Sequence, residues 1–207
     1  MIERGQILGA IIAGGEAKRM DGANKPLMLV GGKPLLVHAF ERLKPQVDSI
    51  IINANRDLDL ISATVPKNVA IVGDHTQYAG RGPLAGLLAC LSQARLMNIA
   101  YTATTAADTP FFPEDVVDLL RAHKGEETIR IAHHGGFRHP LFALWPTALV
   151  DALEAFLKEE QTNKVMAFAQ RHAVVDIEIQ ATGDPFFNVN KQQDLARANE
   201  MLQEMQA

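Results

Sequence analysis

The sequence ILGAIIAGGEAKRMDGANK, residues 7–25, predicts a buried strand and a ligand loop that follows it. Residues 7–13 form an uninterrupted apolar run, which is typical of a strand buried on both faces. Gly14 and Gly15 end this run, and glycine accepts positive φ and lets a ligand approach the backbone closely. Three cations follow in the loop: Lys18, Arg19 and Lys25. Because these cations and free backbone N–H groups can face one small volume, we expect a phosphate-binding loop at the carboxyl end of the first strand.

The loop matches neither of the two common phosphate-binding motifs. The P-loop requires Gly-x-x-x-x-Gly-Lys-Ser/Thr, and no such spacing occurs around Gly14, Gly15 or Gly22. The dinucleotide-binding fingerprint requires Gly-x-Gly-x-x-Gly leading directly into a helix, whereas here adjacent glycines open a polar loop that reaches Pro26 first. A third type of nucleotide-binding loop is therefore indicated.

The loop instead resembles the signature of the molybdenum cofactor guanylyltransferases, Leu-Ala-Gly-Gly-x-x-x-Arg-Met-x-Gly-x-x-Lys. The matching residues here are Ile12, Ala13, Gly14, Gly15, Arg19, Met20, Gly22 and Lys25. The wider nucleotidyltransferase superfamily shares the glycines, the arginine and the lysine, so this stretch identifies the superfamily better than the substrate. The resemblance implies that the segment from Ile12 to Gly15 binds the nucleotide and that Arg19 and Lys25 neutralise its phosphates. Asp21 and Asn24 depart from the family pattern, which commonly has Gly and Asp there, so the charge near Lys25 differs.

Length and composition indicate one globular domain over residues 1–207. The chain has 47% hydrophobic and 21% charged residues, which are globular values, and no apolar run approaches the roughly 18 residues that a membrane span needs. A net charge of −4 and a pI near 6.0 argue against nucleic-acid binding. The start of the chain leaves no room for a signal peptide, and the single cysteine, Cys90, cannot form an internal disulfide. We expect a cytoplasmic monomer that binds neither nucleic acid nor membrane.

Strand-like and helix-like segments alternate along the chain, which is the pattern of a parallel sheet covered by helices on both faces. Apolar strands are expected at residues 7–13, 50–52, 69–72, 100–105 and 141–145. We therefore expect an α/β fold, a single-domain Rossmann-like three-layer sandwich with a mostly parallel central sheet. Ligands bind such sheets at the carboxyl ends of the strands, so the polar residues at those ends are the site candidates.

Polar residues end the second and third predicted strands. Asn53 and Asn55 follow the second strand, and Asp74 follows the third. Taken alone, the asparagines could cap the next helix, and Asp74 could be an ordinary turn aspartate. In the molybdenum cofactor guanylyltransferases a matching asparagine, a matching aspartate and the run at residues 82–86 belong to the GTP site, which implies the same for Asn53 and Asp74. Whether Asp74 contacts the base or the ribose stays open.

Asp108 follows the fourth predicted strand, in the run Asp-Thr-Pro at residues 108–110. A lone aspartate before a helix is usually a cap. Here it would lie at the same sheet edge as the phosphate loop, and Mg²⁺ needs only one or two protein carboxylates when phosphate oxygens and waters complete its shell. The family has an Asp-Thr-Pro motif at this step, which implies that Asp108 is the Mg²⁺ ligand.

Residues 131–140 combine three histidines with an arginine before the apolar strand at 141–145. A zinc site is one interpretation, but no cysteine or helically spaced histidine pair supports it, and an exposed hairpin loop is the alternative. The family has a comparable His-Pro before an apolar strand, close to its presumed molybdopterin pocket, which implies acceptor contacts from Arg138 and His139. Trp145 fits a core position better than a stacking platform.

Near the C-terminus the run Phe-Phe-Asn-Val-Asn, residues 186–190, precedes the last predicted helix. A strand end followed by an N-cap at Asn190 would explain this pattern. In the family a Phe-x-Asn-x-Asn element returns to the active site, so the resemblance implies catalytic or acceptor-binding roles for Asn188 and Asn190.

The ordered motifs resemble the family from residue 7 to about residue 195. The resemblance implies Mg²⁺-dependent transfer of GMP from GTP to molybdopterin or Mo-molybdopterin, with molybdoenzyme-maturation proteins as further partners. Two alternatives stay open: a cytidylyl- or sugar-phosphate nucleotidyltransferase of the same fold, and a non-catalytic carrier of nucleotide or pterin. The adjacent Gly14 and Gly15 favour guanine, since the cytidylyl relatives usually have alanine at one of these positions.

Overall fold

The computed structural model describes residues 2–14, 24–123, 125 and 127–206. Within these residues the strands are β1 (Ile7–Ile12), β2 (Leu29–Val30), β3 (Lys33–Pro34), β4 (Ser49–Asn53), β5 (Ala70–Val72), β6 (Tyr101–Ala106), β7 (Ile129–His134), β8 (Phe137–Pro146) and β9 (Val174–Glu178). The helices are α1 (Leu35–Leu43), α2 (Leu58–Thr64), α3 (Pro83–Leu96), α4 (Val116–Ala122), α5 (Val150–Glu159), α6 (Val165–Ala169) and α7 (Gln192–Gln206). None of these described helices is both long and apolar enough to cross a membrane.

One seven-stranded sheet, in the order β5-β4-β1-β6-β8-β7-β9, runs through the described part of the chain. β1 pairs in parallel with β4 and β6, and β5 continues the parallel set beside β4. β8 runs antiparallel to β6 and β7, and β9 pairs in parallel with β7. All strands of this sheet except β8 therefore share one direction, and the predicted mostly parallel sheet is confirmed.

Helices cover both faces of the sheet. Ile7 and Ile11 of β1 belong to the same core cluster as residues of α1 and α4. Leu8 and Ala10, which alternate with them, pack with Cys90 of α3, and α5 and α6 extend this second layer over β7 and β8. Because successive side chains of a strand point to opposite faces, β1 supports both layers, and all its residues are buried. The arrangement is the predicted three-layer sandwich.

The β7–β8 pair is the hairpin expected around residues 131–140, and its second strand carries the lone tryptophan into the core. Trp145 is fully buried, and its indole Nε1–H donates to Thr104 Oγ1 on β6 at 3.0 Å. A buried indole N–H needs an acceptor, so this bond joins the antiparallel strand to the parallel half of the sheet. The core position predicted for Trp145 is confirmed.

The carboxyl end of β1 is aligned with the ends of its two neighbours. Ile12 pairs with Asn53 on β4 and with Ala106 on β6. Just beyond the strand, the backbone N–H of Ala13 donates to Asn53 O at 2.8 Å. This register brings the start of the ligand loop, Asn53 and the strand that precedes Asp108 to one edge of the sheet.

Candidate active site

Lys25 is the residue at which several predicted site residues meet. Its ammonium group contacts the carboxylate of Asp108. It also donates to Asn190 Oδ1 at 2.7 Å and to Asn188 Oδ1 at 3.2 Å. The Lys25 and Asp108 side chains are 18% and 24% exposed, so the pair is shielded from water but remains accessible to a ligand. These four residues form what we call the Lys25 cluster.

The returning C-terminal segment is fixed to the end of β6 by its backbone. The N–H of Val189, a fully buried residue, donates to Asp108 O at 2.9 Å. Because Val189 lies between Asn188 and Asn190, this bond holds both asparagines beside Lys25. A segment from the end of the chain thereby completes a site that begins near residue 25.

Asp194, which was not assigned to the site from the sequence, holds the backbone at the start of α7. Its Oδ2 accepts from the N–H of Asn190 at 2.6 Å and from the N–H of Lys191 at 2.8 Å. Backbone N–H groups at a helix start lack intrahelical partners and favour a negative group. The acidic residue in the first turn of the last helix was the sequence signal for this role.

Asn53, Asn55 and Asp74 form a second polar network at the same edge. Asn53 Nδ2 donates to Asp74 Oδ1 at 2.9 Å, and Asn55 Nδ2 donates to Asp74 Oδ2 at 2.9 Å. The backbone N–H of Asp74 returns a bond to Asn55 Oδ1 at 2.7 Å. Both carboxylate oxygens are therefore held by amide donors, which fixes the orientation of Asp74. Asn55, which was not assigned to the site from the sequence, makes two hydrogen bonds with Asp74 and is therefore part of the same network as Asn53.

Two glycines leave room for the buried amide of Asn53. A Cβ placed on Gly86 would lie 2.4 Å from Asn53 Oδ1, and one placed on Gly14 would lie 3.2 Å from it. Within the described residues, Asn53 Oδ1 is buried and has no hydrogen-bond partner. Close approach of the first turn of α3 to Asn53 thus requires glycine at position 86.

A cavity of about 470 Å³ borders the Lys25 cluster, because Asn188 is among its lining residues. His139 lines it and stacks on Phe186 with ring centroids 4.0 Å apart, and burial lowers the pKa of His139. Arg138 also lines it, while its Nε and Nη2 each donate to the Asp176 carboxylate at 2.8 Å. These bonds raise the pKa of Arg138. Both proposed acceptor contacts therefore lie at this cavity.

The other two histidines of the segment have separate partners. His133 Nδ1 contacts the Glu178 carboxylate, whereas the ring nitrogens of His134 lie 2.9 Å from Ile179 O and 3.3 Å from Gly183 O. The bond to the Ile179 carbonyl is the main reason why the pKa of His134 is raised. No three metal-ligating side chains cluster within the described ranges. The zinc interpretation therefore finds no support in the geometry.

The described residues include only part of the predicted ligand loop. Gly15, Arg19 and Asp21 lie outside the described residues, and the roles predicted for Gly15 and Arg19 stay predictions. Asn24, which directly precedes Lys25, donates from Nδ2 to Asp57 Oδ2 at 2.8 Å. Asn24, where the family commonly has aspartate, therefore joins the end of the loop to the segment after β4.

Comparisons with known proteins identify the family of the chain. A family model described as MobA-like NTP transferase domain matches residues 9–175. The chain is similar to the molybdenum cofactor guanylyltransferase of Mesorhizobium japonicum, with 40% identity over 98% of this chain and 99% of the relative. A protein of the same name from Sinorhizobium fredii is 36% identical over 99% of this chain and 95% of the relative. The solved structure of molybdopterin-guanine dinucleotide biosynthesis protein A from Archaeoglobus fulgidus is similar with a TM-score of 0.75 and 23% identity, covering 96% of this chain and 100% of that one.

Proposed function

The chain belongs to the molybdenum cofactor guanylyltransferase family, and we propose that it transfers GMP from GTP to molybdopterin, releasing pyrophosphate and forming molybdopterin guanine dinucleotide. The observation that carries the proposal is the contact of the Lys25 ammonium with Asp108, Asn188 and Asn190. This cluster combines a cation suited to phosphate with oxygen atoms suited to a metal ion. Charge neutralisation of this kind is the main requirement of phosphoryl-group chemistry.

In the proposed reaction, an oxygen of the molybdopterin phosphate attacks the α-phosphorus of GTP. A new P–O bond forms, the bond from the α-phosphorus to the oxygen that bridges to the β-phosphate breaks, and pyrophosphate leaves with that electron pair. The attacking phosphate is already ionised, so no side chain has to remove a proton. Positioning and charge therefore supply the catalysis, with Lys25 and Arg19 as cations and the N–H groups of Gly14 and Gly15 as donors.

The donor set around Asp108 fits Mg²⁺. This ion prefers oxygen ligands and binds proteins through one or two carboxylates, and Asp108 lies beside the amide oxygens of Asn188 and Asn190 on the shared Lys25 ammonium. Asp108 would hold the ion. Mg²⁺ bound there would neutralise charge on the triphosphate.

The Asn53–Asp74 network supports binding of a guanine nucleotide. A cavity of about 540 Å³ is lined by Asp74 and by residues 73–77 around it. Each Asp74 oxygen accepts one asparagine N–H and keeps lone-pair capacity for another donor. Guanine offers N1–H and an amine, and the ribose offers hydroxyls, so either part of GTP could use that capacity.

We assign the cavity of about 470 Å³ to the acceptor. The described residues that line it include Arg138 and Lys164 and no carboxylate. Apolar side chains, among them Leu141 and Val165, form much of the remaining wall. Molybdopterin combines a flat ring system with a phosphate, so an apolar cavity that carries Lys164 and the Asp176-paired Arg138 next to Asn188 suits it, with Arg138 as a contact. His139 would face the ring system.

Several broader features complete the proposal. We propose one nucleotidyltransferase domain over residues 1–207, which the sheet that extends from β1 to β9 supports. A cytoplasmic monomer that hands its product to molybdoenzyme-maturation proteins is proposed as well, and the buried, unpaired Cys90 suits a reducing compartment.

Pyrophosphate release tests the proposed function directly. The reaction contains Mg²⁺, GTP and molybdopterin with or without molybdate, and a parallel reaction contains CTP. We expect release only with GTP and acceptor together. Preference for CTP would move the chain to the cytidylyltransferases. Nucleotide binding without release under any of these conditions would instead favour the carrier alternative.

A further inference from the structure

Arg81 lies between two glycines in the loop that leads into α3. Gly80 and Gly82 have φ values of 82° and 56°, a region that favours glycine. The backbone N–H of Arg81 donates to Tyr78 O at 3.0 Å. The chain thus adopts a defined turn just before Pro83 starts α3.

The guanidinium of Arg81 makes four hydrogen bonds to the end of α5 and the segment after it. Nη1 donates to Leu157 O at 2.6 Å, and Nη2 donates to Glu160 O and, at 3.3 Å, to Thr162 O. Nε donates to Asn163 Oδ1 at 2.9 Å. Carbonyl groups in the last turn of a helix lack intrahelical partners and favour a cation. One side chain therefore ties the start of α3 to residues 157–163.

The tied segment forms part of the acceptor cavity. Asn163, the last residue of the segment, lines the cavity together with the three residues that follow it, Lys164, Val165 and Met166. Pro83, two positions after Arg81, also lines it. A Cβ placed on Gly82 would lie 3.8 Å from Asn163 Cβ, which is van der Waals distance, so these two parts of the wall approach each other closely. Arg81 itself is not among the residues that line the cavity.

We propose that Arg81 is a positioning residue for the acceptor substrate. By joining the start of α3 to residues 157–163, it holds the end of the segment that leads directly into Lys164 and the cavity wall. The inference rests on the proposed function, because the cavity binds an acceptor only if the chain transfers GMP to molybdopterin. Lysine could not substitute, since an ammonium has three donors on one atom, whereas a planar guanidinium spreads five over a fork.

The test compares Arg81→Lys and Arg81→Ala with Arg95→Ala in the full chain. Arg95 is a matched control because its Nη1 pairs with Asp151 at 2.7 Å and also joins α3 to α5, but both side chains are well exposed. In steady-state kinetics, we expect the Arg81 variants to raise the KM for molybdopterin by about tenfold or more, as loss of charge-assisted hydrogen bonds would. The KM for GTP and the kcat at saturating acceptor should change by less than about twofold. Arg95→Ala should leave all three parameters unchanged.

Calorimetric titration of molybdopterin and of GTP separates this role from a merely structural one. Arg81→Lys keeps the positive charge near the carbonyl groups of residues 157–162, so it is the milder variant and decides the outcome if Arg81→Ala does not fold. Weaker binding of molybdopterin with unchanged binding of GTP supports the proposal. Unchanged molybdopterin binding, or equal weakening of both ligands, overturns it.

If the wild-type chain transfers no GMP, the proposed function is wrong, and the role of Arg81, which depends on it, is rejected as well. Wild-type transfer with an unaltered Arg81→Lys variant rejects the Arg81 role alone.

Discussion

The Lys25 ammonium contacts the Asp108 carboxylate although 83 residues separate the two in the chain. Both side chains are largely shielded, so neither charge would be well compensated by water alone. Each charge also matches one component of a magnesium nucleotide, since an ammonium attracts phosphate and a carboxylate attracts the metal ion.

Lys25→Ala should lower kcat for GMP transfer by about 10²- to 10³-fold, because it removes a cation from the reacting phosphates. Pyrophosphate release with GTP and molybdopterin measures the effect. Lys33→Ala is the control, since Lys33 pairs with Glu41 at a more exposed position, at 2.6 Å, and its loss should leave kcat unchanged. Turnover close to the wild-type value in Lys25→Ala would contradict the assigned role.

Asp108→Asn should raise the Mg²⁺ concentration that gives half-maximal activity by about tenfold or more, because an amide is a weaker ligand for this ion than a carboxylate. Titration of activity with Mg²⁺ at fixed GTP measures the shift. Asp151→Asn, which changes an aspartate that is 80% exposed, serves as the control. If the Mg²⁺ dependence of Asp108→Asn equals that of the control, Asp108 is not the metal ligand.

Gly86→Ala should weaken GTP binding and lower Tm. The new Cβ would lie 2.4 Å from Asn53 Oδ1, and moving the amide would disturb its bond to Asp74. Overpacking of this kind costs about 1–3 kcal/mol. Gly5→Ala is the matched control, because the nearest atom to its added Cβ is 3.7 Å away. Thermal unfolding and GTP titration provide the two measurements, and wild-type values for both in Gly86→Ala would show that the site tolerates a methyl group.

His134 should stabilise the fold most at low pH. Its pKa is raised mainly by the bond to the Ile179 carbonyl, and a protonated imidazole can donate from both ring nitrogens. The stabilisation is therefore complete below the unfolded pKa of about 6.5 and is lost as pH rises through the higher folded pKa. The difference in Tm between the wild type and His134→Gln should be largest near pH 5 and shrink above about pH 6.5.

This comparison also separates His134 from His139. Burial lowers the pKa of His139, so its contribution has the opposite sign: it is complete above the unfolded pKa of about 6.5 and is lost as pH falls through the lower folded pKa. Both chains keep His139, so the difference between the wild type and His134→Gln removes the main, burial-derived part of that contribution and retains only the smaller effect of His134 on the pKa of His139. A Tm difference that stays constant from pH 5 to pH 8 would be inconsistent with a raised pKa at His134.

Local sequence patterns were sufficient to predict the three-layer sandwich and which polar residues lie at the carboxyl edge of its parallel strands. The apolar runs at β1 and β4 are strands buried in the core, as unbroken hydrophobic stretches of that length indicate. Asn53 ends one strand and Asp108 follows another, and both lie near the carboxyl end of β1 because parallel strands end at the same edge. The positions of the apolar runs, and of the polar residues that follow them, are therefore enough to predict the strands and the sheet edge at which these side chains lie.

Contacts between distant segments have no such local signal. An arginine between two glycines predicts a turn, but it does not indicate that its guanidinium reaches carbonyls at residues 157, 160 and 162. The bonds from Lys25 to Asn188 and Asn190 were expected only through family resemblance. Hydrogen-bond partners from distant parts of the chain depend on how the helices pack on the sheet, and the residue pattern of one segment does not contain that information.

The reversed direction of β8 has a consequence for substitutions beside the acceptor cavity. β5, β4, β1 and β6 carry the residues proposed for the nucleotide, whereas the β7–β8 hairpin carries Arg138 and His139 beside the acceptor cavity. A hairpin is a contiguous piece of chain, so it can be exchanged or redesigned without rethreading the parallel strands. Substitutions within the hairpin would therefore change one side of the acceptor cavity and leave the order of the strands that hold the nucleotide residues unchanged.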